Sequence, residues 1–300
     1  MDMSAWPARE LPLWRSLLFC PANAGRFVAR AHERGADAVI LDLEDSVPPD
    51  QKAAARATVA ASARAVHAGG PDVLVRINRE LDLAVADIAA AVCADVAGLV
   101  LPKVRGPEHI QLLAEAVAAQ EARLGLAPGH TRFLALVETA AALARIDAIA
   151  AADPRLAGLA VGGEDLATDL DAEPSADSLY VAKMLGVHAA RAAGILPVGV
   201  LASVAGVAGD EAYRAMLARS RALGFAAATC VHPAQVPLIN AAFGPSPAQL
   251  ERARRLLQAY RDGQRAGQGA VLFEGTMVDR PVAERAERLL ARAEPAPPAG

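Results

Sequence analysis

The feature that most constrains this fold is a repeated alternation between short apolar runs and longer alanine-rich segments. Eight apolar runs have the length of strands, at residues 16–20, 38–43, 73–77, 98–101, 133–137, 158–161, 195–201 and 226–231. The segments between them are rich in good helix formers, for example residues 50–67, 81–92, 107–123, 139–151, 176–193 and 210–223. Strands that alternate with helices predict right-handed crossovers and a parallel sheet.

Eight such units indicate a closed barrel rather than an open sheet. A Gly-x-Gly-x-x-Gly motif does not follow the first strand, so a dinucleotide-binding fold is not indicated. The predicted fold is α/β, a (β/α)8 TIM barrel over residues 1–243 with a C-terminal helical extension over residues 244–300. Ser246 and Pro247 predict the start of a helix in this extension, which we expect to serve as a lid or a subunit contact.

Composition excludes several classes of partner. The chain has 300 residues, with 30 Lys and Arg against 34 Asp and Glu, and this balance argues against a nucleic-acid binder. Charged residues interrupt every apolar run before it reaches membrane-spanning length, and the first residues lack the pattern of a signal peptide. We therefore expect a cytoplasmic protein with neither a nucleic-acid nor a membrane partner.

Polar residues collect where the predicted strands end. In barrels of this kind the chemistry lies at the carboxyl ends of the strands. The residues there include Asp42, Glu44, Asp45, Arg76, Asn78, Lys103, Glu138, Glu164, Asp165 and His232. The loops that lead into the strands contain ordinary turn residues such as Gly35 and Gly70. This asymmetry predicts an active site at the carboxyl end of the barrel.

Two of these carboxylates are candidates for a shared metal ion. Glu138 and Asp165 follow successive strands, which in a sheet lie about 4.8 Å apart. Hard oxygen ligands predict Mg2+, with Mn2+ as the alternative ion. Glu44 and Asp45 reach the same end, and Arg76 among them can clamp a carboxylate or stabilise an oxyanion. Such a site suits enolate or alkoxide chemistry on a small carboxylic acid.

The sequence resembles the citrate lyase beta-subunit and malyl-CoA lyase family, within the aldolase/citrate lyase superfamily. The matching stretches, in family order, are 15–21 (RSLLFCP), 35–47 (GADAVILDLEDSV), 75–78 (VRIN), 101–103 (LPK), 137–139 (VET), 162–166 (GGEDL), 232–235 (HPAQ) and 275–282 (GTMVDRPV). Each motif is short, but together they span most of the chain.

The resemblance implies a role for each candidate residue. Glu138 and Asp165 hold Mg2+, and Glu138 also contacts the substrate. Arg76 faces the oxygen that gains charge, and Glu44 and Asp45 form a supporting acidic pair. Asp279 corresponds to the family's general acid/base, which reaches the active site of a neighbouring subunit. The resemblance thus also implies a homotrimer or hexamer with shared active sites.

The implied reaction is the reversible cleavage of a 3-hydroxyacyl-CoA with a terminal carboxylate, such as malyl-CoA or citramalyl-CoA. The products are a 2-oxo acid, glyoxylate or pyruvate, and acetyl-CoA, so a CoA thioester is the substrate. The backbone amides of Gly162 and Gly163 are candidate substrate donors. For the CoA portion the candidates are Arg15, Asn23 and Arg26.

Two stretches depart from the family pattern. After the first strand the family usually carries Gly-Asn-Arg-Pro, whereas this chain has residues 22–26 (ANAGR), and Arg26 is the substitute we expect for a CoA phosphate contact. After the seventh strand the family often has an acidic residue, but residues 197–203 (PVGVLAS) contain none. The second difference leaves the acyl-CoA specificity open.

Other functions fit parts of the pattern. A malate-synthase-like enzyme would follow the same condensation with thioester hydrolysis, and a citrate lyase beta subunit would act on a carrier-bound citryl thioester. Lys103 is the residue type of a Schiff-base aldolase. A barrel that only binds a dicarboxylate or CoA ester would not require the full set of carboxylates. His232 is more simply a loop residue that caps the next helix.

Overall fold

The computed structural model describes residues 11–202 and 210–291, which divide into two compact units between Asn240 and Ala241. The strands of the first unit are β1 (Ser16–Pro21), β2 (Ala38–Asp42), β3 (Asp72–Arg76), β4 (Gly98–Leu101), β5 (Arg132–Val137), β6 (Leu156–Val161), β7 (Leu196–Val198) and β8 (Ala228–Cys230). The helices that accompany them are α1 (Gly25–Val28), α2 (Lys52–His67), α3 (Leu81–Ala91), α4 (Pro107–Leu124), α5 (Ala140–Leu143), α6 (Ile146–Ala150), α7 (Glu164–Asp169), α8 (Ala176–Ala192), α9 (Asp210–Ala222) and α10 (Val236–Phe243).

The eight strands form one parallel sheet in the order β7-β6-β5-β4-β3-β2-β1-β8. The two edge strands meet through a parallel bridge between Val198 and Ala227, and the Gly199 amide donates to the Ala227 carbonyl at 2.8 Å. The sheet is therefore a barrel with helices around it, and the predicted (β/α)8 fold is confirmed.

Strand alternation separates two apolar layers. One buried cluster fills the barrel and includes Leu17, Ile40, Leu74, Val100 and Leu134, which come from β1 to β5 in turn. The neighbouring strand residues belong to a larger cluster with the surrounding helices. Successive side chains of a strand point to opposite faces, so every second residue of these strands faces the barrel interior.

One predicted helix is divided in the structure. Residues 139–151 form two short helices, α5 and α6, with a turn at Ala144 and Arg145. Thr139 caps α5 by accepting a hydrogen bond from the Ala142 amide. The whole stretch is made of good helix formers, so composition does not reveal the turn.

The second unit contains α11 (Pro247–Arg265), β9 (Val271–Phe273), β10 (Thr276–Val278) and α12 (Arg280–Ala291). Ser246 caps α11 as predicted, since its hydroxyl accepts from the Gln249 amide. β9 and β10 form an antiparallel hairpin joined by Glu274 and Gly275, both with positive φ, which is the geometry of a type I′ turn. Leu256, Tyr260 and Val278 belong to its buried apolar cluster.

In the part of the chain that the structure describes, no helix combines the length and the apolar character needed to cross a membrane.

Candidate active site

Strand alternation directs three polar side chains into the carboxyl end of the barrel, hereafter the mouth. On β2 the inward positions are Ala38 and Ile40, and Asp42 continues this series. On β3 Arg76 follows Leu74 in the same way. After β5, Glu138 continues the inward series of Leu134 and Leu136. The apolar filling of the barrel thus ends in a polar layer.

Arg76 is held by two acids. Its Nε and Nη2 each donate to the Asp42 carboxylate at 2.6 Å, and its Nη1 lies 2.9 Å from Glu44 Oε2 without the alignment of a hydrogen bond. Burial alone would raise the pKa of Asp42, but the hydrogen bonds and charge of Arg76 lower it below its usual value. Burial likewise opposes the Arg76 charge, yet Asp42 and Glu44 raise the pKa of Arg76. The group is therefore a permanent cation.

Asp42 is a site residue that the sequence analysis named only as part of a strand end. The parallel register pairs Asp42 with Arg76, so the two residues are neighbours on adjacent strands. Both occupy the last position of their strand and both face inward. The sequence does contain a signal for this pair: each residue is the last one of its strand, and the two strands follow one another in the chain.

Lys103 links the acids across the mouth. Its ammonium lies 3.0 Å from Glu44, 3.0 Å from Asp45 and 3.7 Å from Asp165. Burial would lower the pKa of Lys103, but hydrogen bonds with Glu44 and Asp45 raise it. A Schiff-base lysine needs a lowered pKa to attack a carbonyl as a free amine, so the geometry disfavours that alternative.

The backbone of Lys103 serves a second purpose. Its φ of 47° lies in the left-handed region, which costs a non-glycine residue about 1–3 kcal/mol. In this conformation the Lys103 amide donates to Glu138 Oε2 at 2.6 Å. The strained residue thus fixes the Glu138 carboxylate.

Glu138 is the most perturbed carboxylate of the mouth. It is 5% exposed, and burial raises its pKa to about 7, with Asp165 and Glu44 adding to the rise. Gly162 makes room for it, because a Cβ at that position would lie 2.5 Å from Glu138 Cγ. A buried carboxylate that titrates near neutrality is typical of a catalytic or ligand-binding group.

The oxygen donors of the mouth fit a divalent cation. Glu138 Oε2 accepts the Lys103 amide, whereas among the described residues no hydrogen bond is made to Oε1. Asp165, the second residue of α7, lies beside it with a side chain that is 44% exposed. A buried carboxylate beside one that is open to solvent suits Mg2+, which retains water and substrate ligands. In residues 11–202 and 210–291, no group of three or more His, Cys, Asp or Glu side chains is arranged as a complete metal site.

Not every candidate joins this arrangement. Gly162 donates its amide to the Val137 carbonyl at 2.9 Å, so that amide is not available to a substrate. Gly163 directly precedes α7, and its amide stays a candidate. Arg15 precedes β1 at the opposite end of the barrel, where it forms two side-chain hydrogen bonds with Asp37. The structure therefore does not bring Arg15 to the mouth.

The remaining candidates lie on the loop after β1 and in the second unit. Asn23 is exposed and donates to Gln51 at 2.6 Å, and the exposed Arg26 stacks over Phe27 at 4.7 Å. Asp279 immediately precedes α12 and accepts a hydrogen bond from the Val282 amide at 3.3 Å.

A buried network that the sequence analysis missed supports the loop after β2. Lys52 donates to the carbonyls of Leu43 and Glu44 at 3.0 and 2.8 Å, and also to Asn78. Asn78 in turn donates twice to the fully buried Asp87, which also accepts from Arg56. The network therefore fixes the segment that carries Glu44.

These features define the class: a parallel α/β barrel whose mouth presents buried carboxylates, an arginine and a lysine. Residues 15–233 match the family model described as HpcH/HpaI aldolase/citrate lyase. The chain belongs to this family and is an enzyme of it.

Known proteins agree with this assignment. The chain is 34% identical over 290 residues to a (3S)-malyl-CoA thioesterase of Cereibacter sphaeroides, which covers 96% of this chain and 97% of that protein. It is 30% identical over 281 residues to the citrate lyase subunit beta of Leuconostoc mesenteroides, with 93% and 92% covered. A crystal structure of the protein CitE from Mycobacterium tuberculosis in complex with magnesium, acetoacetate and coenzyme A matches with a TM-score of 0.69 and 33% identity, covering 93% of this chain and 97% of that chain.

Proposed function

We propose that this chain is a Mg2+-dependent carbon–carbon lyase that reversibly cleaves a 3-hydroxy-dicarboxylic acyl-CoA, such as malyl-CoA or citramalyl-CoA. The products are acetyl-CoA and a 2-oxo acid, glyoxylate or pyruvate. The observation that carries the proposal is Glu138, a buried carboxylate with a pKa of about 7 that lies beside Asp165. Arg76 is near enough for its charge to act on the pKa of Glu138. The magnesium complex among the matching structures supports the choice of ion.

The reaction divides into tasks for named residues. Glu138 and Asp165 would hold Mg2+, which would supply a Lewis acid for substrate oxygens. Arg76 has five N–H groups, of which Asp42 uses two, so others remain to stabilise charge on the substrate oxygen. Burial raises the pKa of Glu44, and this makes the Glu44 carboxylate a suitable acceptor for the hydroxyl proton. Asp45 is the second candidate for this role.

The bond that breaks joins the carbon bearing the hydroxyl group to the carbon next to the thioester. As the hydroxyl proton leaves, its oxygen becomes the carbonyl oxygen of the 2-oxo acid. The electron pair of the broken bond stays on the acetyl-CoA carbon as an enolate. Asp279 of a neighbouring subunit then protonates this carbon. The proposed enzyme is therefore an oligomer, and the family resemblance implies a homotrimer or hexamer.

A cavity beside the mouth is a candidate entrance for the CoA portion. Its lining includes four cations and three acids, namely Lys52, Arg56, Arg79 and Lys103 with Glu44, Asp45 and Glu80. Asn23 and Arg26 on the loop after β1 are further candidates for CoA contacts. Positive side chains near an entrance favour the approach of phosphate groups.

Thioester hydrolysis is a second candidate, because the Cereibacter sphaeroides relative is named as a thioesterase. One assay separates the two activities. The protein is incubated with malyl-CoA, citramalyl-CoA or 3-methylmalyl-CoA, with and without Mg2+, and free CoA, 2-oxo acids and short acyl-CoA products are quantified. The lyase produces equal amounts of a 2-oxo acid and acetyl- or propionyl-CoA, whereas the hydrolase releases free CoA without a 2-oxo acid.

Variants connect the activity to the site. Glu138→Gln and Asp165→Asn should abolish the Mg2+-dependent turnover, while Glu108→Gln, on an exposed surface pair with Arg145, should retain it. Turnover that persists in Glu138→Gln or in EDTA would overturn the metal assignment. Inactivity on free CoA esters, with cleavage of a carrier-bound citryl thioester, would instead identify a citrate lyase beta subunit.

A further inference from the structure

Lysine is used sparingly in this chain. Of 30 lysine and arginine residues only Lys52, Lys103 and Lys183 are lysines, and all three ammonium groups lie at the mouth. Lys52 caps carbonyls after β2, Lys103 follows β4, and Lys183 donates to a carbonyl at the end of β6. Lysine has a compact charge with three rotatable donors, whereas arginine has a wide planar fork. The chain thus has lysine where a small cation fits among backbone carbonyls, as at Lys52 and Lys183, or among carboxylates, as at Lys103.

Lys183 is the lysine that the proposed reaction does not use. It projects from α8 and is buried, with its Nζ 2.6 Å from the Val161 carbonyl oxygen. Burial lowers the pKa of Lys183 to about 8, and the nearby charge of Glu138 opposes this effect. A buried ammonium with one carbonyl acceptor is costly to maintain, which indicates that the contact has a structural or functional role.

Two glycines allow the contact. Gly186 lies one turn after Lys183 on α8, and a Cβ there would lie 2.7 Å from Val161 Cγ2, so its absence lets α8 approach β6. Pairing of β6 with β7 ends at Ala160 and Val198, and Gly199 then adopts a φ of +136°. Among the described residues no backbone amide beyond this point donates to the Val161 carbonyl. Lys183 takes the place of that missing donor.

The contact fixes a peptide beside Glu138. The Val161–Gly162 peptide is held on one side by Lys183 and on the other by the Gly162 amide, which donates to the Val137 carbonyl at 2.9 Å. Gly162 packs directly against Glu138, where a Cβ would lie 2.5 Å from Cγ. A movement of this peptide would therefore displace the Glu138 side chain.

We propose that Lys183 is a positioning residue, whose ammonium holds the Val161–Gly162 peptide against Glu138 and so sets the place of the metal-binding carboxylate. The inference rests on the proposed function, because it takes Glu138 as a metal ligand. A group that contacts a metal ligand, and not the metal itself, orients that ligand. Removing such a group typically weakens metal affinity about 10- to 100-fold.

Three variants of the full-length protein test this role. Lys183→Met keeps the side-chain length but removes the charge and the donors, and Lys183→Arg restores both. Leu179→Ala is the matched control, because Leu179 is a fully buried residue of the same helix whose apolar side chain cannot donate to the Val161 carbonyl. Calorimetry with Mg2+ alone measures the dissociation constant, and urea unfolding reports stability separately.

We expect Lys183→Met to weaken Mg2+ binding about tenfold or more. Lys183→Arg keeps the charge and the donors on a wider group, so it should recover part of the loss. Leu179→Ala should lower the urea midpoint without changing the Mg2+ dissociation constant. Unchanged or tighter binding by a folded Lys183→Met protein overturns the positioning role. A wild-type protein that binds no Mg2+ overturns the proposed function itself, which is a distinguishable result.

A second measurement does not depend on a folded variant. Wild-type protein labelled with 13C at lysine Cε gives three resonances, one for each lysine, and their response to Mg2+ can be followed. The Lys183 resonance should shift together with metal binding, because its acceptor peptide contacts Glu138. A Lys183 resonance that stays constant while Mg2+ saturates the site contradicts the proposal.

Discussion

Asp42 and Arg76 end neighbouring parallel strands at paired positions, and the Asp42 carboxylate accepts two 2.6 Å hydrogen bonds from the Arg76 guanidinium. The pair is buried, with 2% and 14% of the two side chains exposed. The barrel thus presents its arginine to the mouth already oriented, so a substrate need not order this side chain when it binds.

Substitution of Asp42 should destabilise the protein as well as the site. Asp42→Asn leaves the buried Arg76 charge without its main partner, a change that typically costs about 3–5 kcal/mol. Urea unfolding measures the loss. Glu33→Gln, which breaks the exposed pair between Arg30 and Glu33, should leave the midpoint unchanged. A midpoint for Asp42→Asn equal to the wild type would mean that the pair contributes little.

Mg2+ affinity should depend on pH because of Glu138. Its pKa is raised to about 7, so the acid is mainly protonated below pH 7 and the ion must displace a proton. The apparent affinity should fall about tenfold per unit below pH 7 and level off above it. Calorimetry from pH 5.5 to 8.5 checks this expectation. A flat profile down to pH 5.5 would show that Glu138 is ionised throughout and has an ordinary pKa.

Gly162→Ala should disturb the metal site without unfolding the barrel. The added Cβ would lie 2.5 Å from Glu138 Cγ, and the glutamate must move to accommodate it. We expect Mg2+ binding to weaken by about tenfold or more. Gly25→Ala is the control, since a Cβ at Gly25 meets no atom within 4 Å. Equal Mg2+ affinity for the two variants would argue against the tight packing described for Gly162.

Mixed oligomers can test whether Asp279 acts in a neighbouring subunit. Glu138→Gln and Asp279→Asn should each be inactive, but hybrids assembled from both chains should regain activity, because some sites receive an intact copy of each residue. Glu138→Gln mixed with Asp165→Asn is the matched control. Both of these residues come from one barrel, so no hybrid site would contain the two intact. If neither mixture regains activity, Asp279 does not act in a site that is shared between subunits.

The sequence predicts the barrel well because apolar runs and helix formers alternate with a strong local pattern. All eight predicted strands are present, and β7 is shorter than predicted, at three residues, because Gly199 adopts a positive φ. The hairpin of β9 and β10 was missed, since its strands have three residues each and Glu274 is an unusual residue at a positive φ.

The polar layer of the mouth could be predicted only in part. Residues at strand ends, such as Glu138 and Arg76, follow from alternation and position. The roles of Lys103 and Lys183 do not, because one depends on a strained backbone angle and the other on a helix that reaches a distant strand. Contacts of this kind are set by tertiary packing, which a local pattern does not contain.

The scarcity of lysine has a consequence for covalent chemistry. Acylating reagents, including reactive thioesters, react with neutral amines rather than with guanidinium groups, so only three side-chain amines of this protein can be acylated. Lys183 is shielded by burial, and Lys103 is kept protonated by its acids. Amine-directed immobilisation or crosslinking would therefore attach the molecule through its mouth or its amino terminus. A cysteine introduced at an exposed position would be the better attachment point.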